Sequence, residues 1–258
     1  MCGRYATARD PVDLAEEFDV DRVAVDEALA PNYNVAPTDP VYAVLERVDK
    51  ASPDDAAQRQ LRVVRWGLVP SWAKDPKIGS RLINARAETL AEKPAFRKAF
   101  AARRCLLPAD GYYEWYTDAA ATDTPAKKGG ATRPVKQPFF IHRRGGGILA
   151  MAGLYEFWRD PGATEGTDPW LWSCAVITTE AADDLGRIHD RMPMLVESPN
   201  WDRWLDPRVG DPRELSRLLV PAAPGRLDAY PVSTQVNDVR NNGPQLVAPV
   251  EGVALPES

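Results

Sequence analysis

Apolar residues in this chain come in short runs, and a turn former or a charged cluster closes each run before a long helix could develop. PVYAVLERV (40–48) and LRVVRWGLVP (61–70) read as strands, separated by KASPDDAAQRQ, a polar loop with no apolar period. CLLPADGYYEWY (105–116) reads as strand–turn–strand, and LWSCAVITT (171–179) as a buried strand. PFFIHRRGGGILAMAGLYEFW (138–158) reads as a hairpin turning at Gly145–Gly147. Helical segments are few and short. Asp10 caps and Pro11 opens a helix through VDLAEEF. RAETLAEKPAFRKAFAARR (86–104) has helical character that Pro94 bends or splits, and AADDLGRI, ESPNWDRWL and PRELSRLL are further short helices. No repeat and no interdomain linker is visible. The expectation is one α+β domain over residues 1–258, with a curved, mainly antiparallel, barrel-like sheet flanked by short helices. Polar loops of variable length fall at about 48–60 and 116–136, the second a low-complexity insertion between two strands.

Composition narrows the function classes. Apolar residues at 44% and charged residues at 27% are those of an ordinary globular protein. No apolar run approaches the ~20 residues of a membrane-spanning helix, and the first residues do not read as a secretion signal. Three cysteines, Cys2, Cys105 and Cys174, lie too far apart for a disulfide framework or a metal cluster and fit a reducing cytoplasm. With two histidines besides, no metal site is expected. Net charge is −5, so a broad grip on duplex DNA is excluded; a nucleic-acid contact would have to be a local basic cleft. No heptad or exposed apolar stripe argues against a monomer.

The residues that could carry chemistry fall in four islands at element boundaries: MCGRY (1–5), LINARAET (82–89), ADGYYEW (109–115) and IHDRMP (188–193). Removal of Met1 would give Cys2 an α-amine beside its thiol. An α-amine of pKa near 8 is roughly a quarter neutral at pH 7.4, against about 0.1% of a lysine amine. Such an aminothiol suits an aldehyde, the amine forming a Schiff base and the sulfur closing a five-membered ring. It also suits an N-terminal-nucleophile hydrolase acting on an amide. The structural alternative is a buried, inert cysteine with Met1 retained.

His189 can move protons near neutral pH, or it is a surface histidine in a charged turn. Glu114, set among aromatics, would be a usable acid or base if buried, or else a strand glutamate facing solvent. Asn84 either points its carboxamide into a pocket or caps a helix. Arg4, Arg86 and Arg191 each lie within two residues of one of these groups, which a phosphate-bearing substrate would explain and surface salt bridges would explain equally. Trp66, Trp72 and Trp115, with Tyr112 and Tyr113, offer base-stacking area or core packing. His142 reads as structural or exposed.

In order along nearly the whole chain, MCGRY, NYNVAPT, WGLVPSWAKD, LINARAET, RCLLPADGYYEW, PFFIH, ITTEA, HDRMP and the Asn-rich stretch before Pro249 resemble the SOS response-associated peptidase family, the abasic-site processing proteins. The resemblance implies a covalent shield for abasic sites in single-stranded DNA, with no cofactor. It casts Cys2 as the thiazolidine-forming residue after Met1 loss and Asn84 as the group positioning amine and sugar. Glu114 would move protons around Schiff-base formation and ring closure, and His189 would protonate the ring-opened sugar oxygen. Arg4, Arg86 and Arg191 would hold phosphates, Trp115 and Pro37 would wedge against neighbouring bases, and Trp72 would stack nearby. Two rivals stay open: an N-terminal cysteine amidohydrolase or peptidase, and a non-covalent reader of single-stranded DNA.

Overall fold

A computed structural model of the chain describes residues 2–48, 57–122, 134–181 and 184–253. Its elements, in chain order, begin with β1 (Tyr5–Thr7), α1 (Pro11–Glu17), β2 (Arg22–Ala24), β3 (Asn32–Val35), β4 (Pro40–Arg47) and β5 (Gln58–Trp66). Next come β6 (Asn84–Arg86), α2 (Arg97–Ala102), β7 (Arg104–Ala109), β8 (Gly111–Thr122), β9 (Pro134–Arg143) and β10 (Leu149–Arg159). The chain continues through β11 (Trp170–Glu180), β12 (Arg191–Pro193), α3 (Trp201–Leu205), α4 (Pro212–Leu218) and β13 (Leu227–Pro231).

Strands β11, β10, β7, β4 and β5 pair in that order, and β5 returns to β11 through Ser173↔Arg65 and Cys174↔Trp66, closing a five-stranded barrel. Strand β12 continues the edge of β11 that carries β10, while β6 lies along the opposite edge, after β5. A second, antiparallel sheet runs β13–β9–β8–β1–β3. The α+β expectation is met. The barrel is mixed, because β5 and β6 both run parallel to β11, and β2 runs parallel to β5.

Alternation along the strands divides the core. Odd positions of β4, β7 and β10 and even positions of β5 and β11 fill the barrel, among them Leu45, Leu107, Met151, Trp66 and Val176. The opposite faces, with Val44, Leu106, Leu154 and Ile177, pack against the helices through Leu14, Phe100, Trp204 and Leu215. On β8 the even face joins the barrel interior through Tyr112, and the odd face, with Tyr113, packs beneath Val232 and Val236.

Local chemistry explains the elements. Asp10 accepts from the Val12 and Asp13 amides at 2.8 and 3.0 Å, with Pro11 in the first turn of α1. Several expectations are corrected. The turn at Gly145–Gly147, all three at positive φ, does not close a hairpin: β9 and β10 lie in different sheets, and the glycines carry the chain between them. Within 86–104 only Arg97–Ala102 is α-helical. Pairing with β11 claims Asn84–Arg86 as strand, a short 3₁₀ turn takes Ala87–Thr89, and Pro94 lies before α2. Asn84 is therefore a strand residue and no helix cap. Residues 58–60, read as loop, pair with β4, and 49–56 of that loop lie outside the described residues. Residues 116–122 and 134–136 of the long insertion form strand, with 123–133 outside the described residues.

Candidate active site

The short β1 brings the chain's beginning onto the barrel. Tyr5 pairs with Tyr112 and Ala6 with Gly111, and the Tyr113 amide donates to the Arg4 carbonyl at 2.9 Å. Continued one step, that register sets Gly3 across from Glu114. Cys2 follows directly and is fully enclosed in the barrel cluster. Burial pushes its thiol well above the ordinary value, and the Glu114 carboxyl adds to the rise. The sulfur therefore rests as a neutral thiol.

Asn84 arrives from the other side. The buried Trp66 indole donates to the Ile83 carbonyl at 2.9 Å, and the Val176 amide donates to the same oxygen at 3.0 Å, fixing the start of β6. From there the Asn84 amide donates to the Cys2 carbonyl at 2.7 Å. Among the described residues its Oδ1 is buried without a hydrogen-bond partner. An acceptor so placed is costly unless a donor comes to it. The loop leading here is set by two interlocked glycines: Gly67 is at φ +129°, and a Cβ on it would meet the Gly79 carbonyl oxygen at 2.7 Å.

Glu114 sits on the even face of β8 and is 3% exposed, so strand alternation turns it inward and the solvent-facing alternative falls. Burial raises its carboxyl to about 7, against the pull of the chain's N-terminal charge. His189 follows the 3₁₀ turn Asp184–Arg187, with Nε2 4.0 Å from Glu114 Oε2. Its Nδ1 lies 3.0 Å from the Arg191 amide, which donates to it, and 3.0 Å from Asp190 Oδ1. The two contacts act oppositely on the tautomer: the Arg191 amide favours a bare Nδ1 and the Asp190 carboxylate a protonated one. Burial and the N-terminal charge lower the imidazole pKa, opposed by Asp190. Cys2, Asn84, Glu114 and His189 thus converge from four separated segments on one barrel end.

The arginines divide. Arg191 is buried, its guanidinium held by both oxygens of Glu88 at 2.8 and 3.1 Å and by the Thr178 carbonyl at 2.7 Å. The same hydrogen bonds hold Glu88 below the usual carboxylate range. Glu88 escaped the sequence reading; its one signal was its place inside LINARAET. Glu88→Gln is expected to lower stability by about 1–2 kcal/mol. That is less than a fully buried pair would lose, since 45% of the Glu88 side chain stays in water. A denaturant midpoint equal to the parent's would show that the pair contributes nothing net.

Arg4 is half-buried, donating to Asn34 Oδ1 at 2.7 Å and the Val236 carbonyl at 2.8 Å, with its guanidinium 5.8 Å from the Trp115 ring centroid. Arg86 is exposed and makes no ion pair among the described residues. Trp115 is half-buried, its indole donating to Asn237 at 2.7 Å, and Pro37 is half-buried. Trp72 stands 56% exposed beside a hollow of about 530 Å³ that Lys74, Lys77 and Arg81 also line. Those three cations were legible in SWAKDPKIGSR but passed unmarked. Trp66, Tyr112 and Tyr113 are core. His142 is half-buried against Phe140 and Tyr230. Among the described residues no cluster of metal-ligating side chains occurs, and no helix is long and apolar enough to cross a membrane.

Fold and cluster together define a barrel protein whose candidate chemistry is built around its own second residue. Residues 1–239 match the family described as SOS response associated peptidase (SRAP), and the chain belongs to that family. Abasic site processing protein YoqW of Bacillus subtilis (strain 168) is 38% identical over 247 residues, covering 96% of this chain and 99% of the relative. Abasic site processing protein HMCES of Gallus gallus is 33% identical over 244 residues, 86% of this chain and 67% of the relative. A crystal structure of a Bacteroides thetaiotaomicron protein shares the fold, with a TM-score of 0.73 and 24% identity over 96% of this chain and 100% of that one.

Proposed function

We propose that this protein is an abasic-site processing protein that captures the lesion's aldehyde in single-stranded DNA as a thiazolidine on Cys2, once Met1 has been removed. The observation that supports this best is the meeting of Cys2, Asn84, Glu114 and His189 at one barrel end, with Glu114 near neutrality and the thiol held neutral.

Cleavage of the Met1–Cys2 peptide bond frees the α-amine, and Cys2, Glu114 and His189 are the groups at hand for this self-processing. His189 supplies a proton to the sugar ring oxygen while the C1′ hydroxyl gives its own to the Glu114 carboxylate, so the abasic deoxyribose opens to a C1′ aldehyde. The amine adds to C1′, and Glu114 in its acid form protonates the departing hydroxyl, so water leaves and a Schiff base forms. The sulfur then adds to the same carbon, its proton passes to the nitrogen, and the ring closes. One water is lost overall. A carboxyl near pKa 7 can both give and take protons at neutral pH, which this sequence asks of Glu114. A protonated thiol lets the amine act first. Asn84 Oδ1 would accept from the freed amine or a sugar hydroxyl.

Arg86 is the arginine best presented to a flanking phosphate, with Trp72, Lys74, Lys77 and Arg81 extending the path. Pro37 and Trp115 would stand against neighbouring bases. Arg4 and Arg191, already engaged, would brace the walls of the site. A few such contacts need no basic protein, because the covalent bond holds the complex. The protein would act as a cytoplasmic monomer on exposed single strands.

Intact mass spectrometry tests the reading. A protein lacking Met1, and a heat-stable adduct one water lighter than protein plus an abasic single-stranded oligonucleotide, are expected. Cys2→Ala should give no heat-stable adduct. Retained Met1 with no adduct from the parent protein would leave only non-covalent binding.

A further inference from the structure

The barrel has a second mouth. Followed away from Cys2, the inward positions change from apolar to cationic: Val41, Ala43 and Leu45 lead to Arg47 on β4, Trp66 and Val64 to Arg62 on β5, and Leu107 and Cys105 to Arg103 before β7. Strand β10 contributes Tyr155 and Phe157 to this end, and β11 contributes Trp172. Trp172 lies four residues before Val176, the register partner of Asn84, a separation of about 13 Å along the strand.

Charge at this mouth is left over. The guanidiniums of Arg62 and Arg47 lie 4.5 and 5.0 Å from the Trp172 ring centroid, and those of Arg47 and Arg103 lie 5.8 and 5.7 Å from that of Phe157. Arg103 pairs with Glu156 at 2.7 Å, yet its Nε–H is buried with no acceptor among the described residues. Among the described residues Arg62 hydrogen-bonds only to Gln60, at 2.9 Å, and neither Arg47 nor Arg62 has an ion-pair partner. The carboxylates around them are otherwise arranged. Glu46 is taken by Arg59 and Asp206 by Arg208; Asp26, Glu27 and Asp168 line a cleft that Arg62 also lines, where Asp26 acts on it electrostatically without forming an ion pair. Burial, then the fields of Arg47 and Arg22, lower the Arg62 pKa. A recess of about 240 Å³ opens here, lined by Arg47, Arg103, Tyr155, Phe157, Arg208 and Glu46.

Like charges gathered at a half-buried site, with an orphaned donor beside them, favour an anion. In the recess Arg47, which has no ion-pair partner among the described residues, stands beside Arg103, and this pair suits a phosphomonoester, which carries about −1.5 to −2 at pH 7. The aromatic wall suits a ring attached to it. We propose that the mouth of the barrel opposite Cys2 is a second binding site, taking a phosphate ester with a flat ring, with the phosphate on Arg47 beside Arg103 and the ring against Phe157. A free nucleotide and the 5′-terminal phosphate of a DNA strand carry the same chemistry. The site is independent of whether Cys2 captures aldehydes.

The test is calorimetric titration of the full chain with 5′-dAMP, inorganic phosphate and a 5′-phosphorylated single-stranded oligonucleotide, for the parent protein, Arg47→Gln and Arg47→Lys. Indole resonances followed by NMR locate the contact. The parent is expected to bind 5′-dAMP more tightly than phosphate and to shift the Trp172 signal. Arg47→Gln should weaken this by about tenfold while its melting temperature stays near the parent's; if that variant does not fold, Arg47→Lys supplies the comparison, with a smaller loss because the fork is gone but the charge stays. Arg47-dependent binding of the oligonucleotide alone would assign the site to a DNA phosphate. No binding of any of the three at about 10 mM, or equal binding by parent and variants, overturns the proposal.

Discussion

Glu114→Gln is expected to slow adduct formation by about 10²–10⁴-fold, the usual worth of a positioned general acid–base group, and at the same time to make the protein more stable at pH 8. The two effects have one cause. Folding raises this carboxyl from the ordinary 4.5 to about 7 because it is buried. A carboxyl raised in the folded state contributes stability that is fully present below pH 4.5 and lost as pH rises through 7. By pH 8 the buried carboxylate therefore costs about 3 kcal/mol relative to a neutral group of the same shape. Glutamine is that neutral group. The stability difference between variant and parent should be small at pH 4 and grow across pH 5–8, read from denaturant midpoints at each pH. A flat difference would mean that the carboxyl is not raised. Unchanged kinetics on abasic oligonucleotide would remove Glu114 from the proton traffic. The result most favourable to the proposal is a protein that gains stability as it loses rate, as expected of an active site that holds a strained charge.

Much of this fold could be read from local signals, and what could not involves long-range pairing. Asp10–Pro11 announces α1 by cap chemistry, and alternating runs announce β4, β5 and β11. The glycines at 145–147 announce a turn, but nothing local says whether the flanking strands pair with each other or enter two sheets. Asn84–Arg86 became strand because β11 offers a free parallel edge there, a contact made with residues more than 90 positions away. The candidate site divides in the same way. The residue types at Cys2, Asn84, Glu114 and His189 were legible, but which face of β8 Glu114 takes is decided by the register that pairs Tyr5 with Tyr112. Arg191 shows the limit most clearly. A charged residue beside His189 in sequence reads as a phosphate contact, and only the fold reveals that Glu88, 103 residues away, already occupies it. Aromatic residues follow the same rule: Trp66 and Trp72 share one motif, and one is fully buried while the other is exposed.

Cys2→Ser separates the amine's chemistry from the sulfur's. With Met1 removed by an added methionine aminopeptidase, and its loss checked by mass, the variant keeps an α-amine of ordinary basicity, so attack on C1′ and loss of water remain available, and a Schiff base to the DNA should form. Closing the ring is another matter. A hydroxyl is a far weaker nucleophile than a thiol at neutral pH. The oxygen ring that would result reopens readily, so the imine stays exposed to hydrolysis. The expected adduct is therefore lost on heating unless borohydride is added, and after reduction its mass exceeds the unreduced imine's by two hydrogens. The parent protein should need no reductant. A heat-stable, reductant-independent adduct from Cys2→Ser would show that sulfur is dispensable and the bond to DNA lies elsewhere. A parent adduct that itself depends on borohydride would stop the reaction at the imine, leaving the buried thiol a packing role beside Tyr5 and Val35.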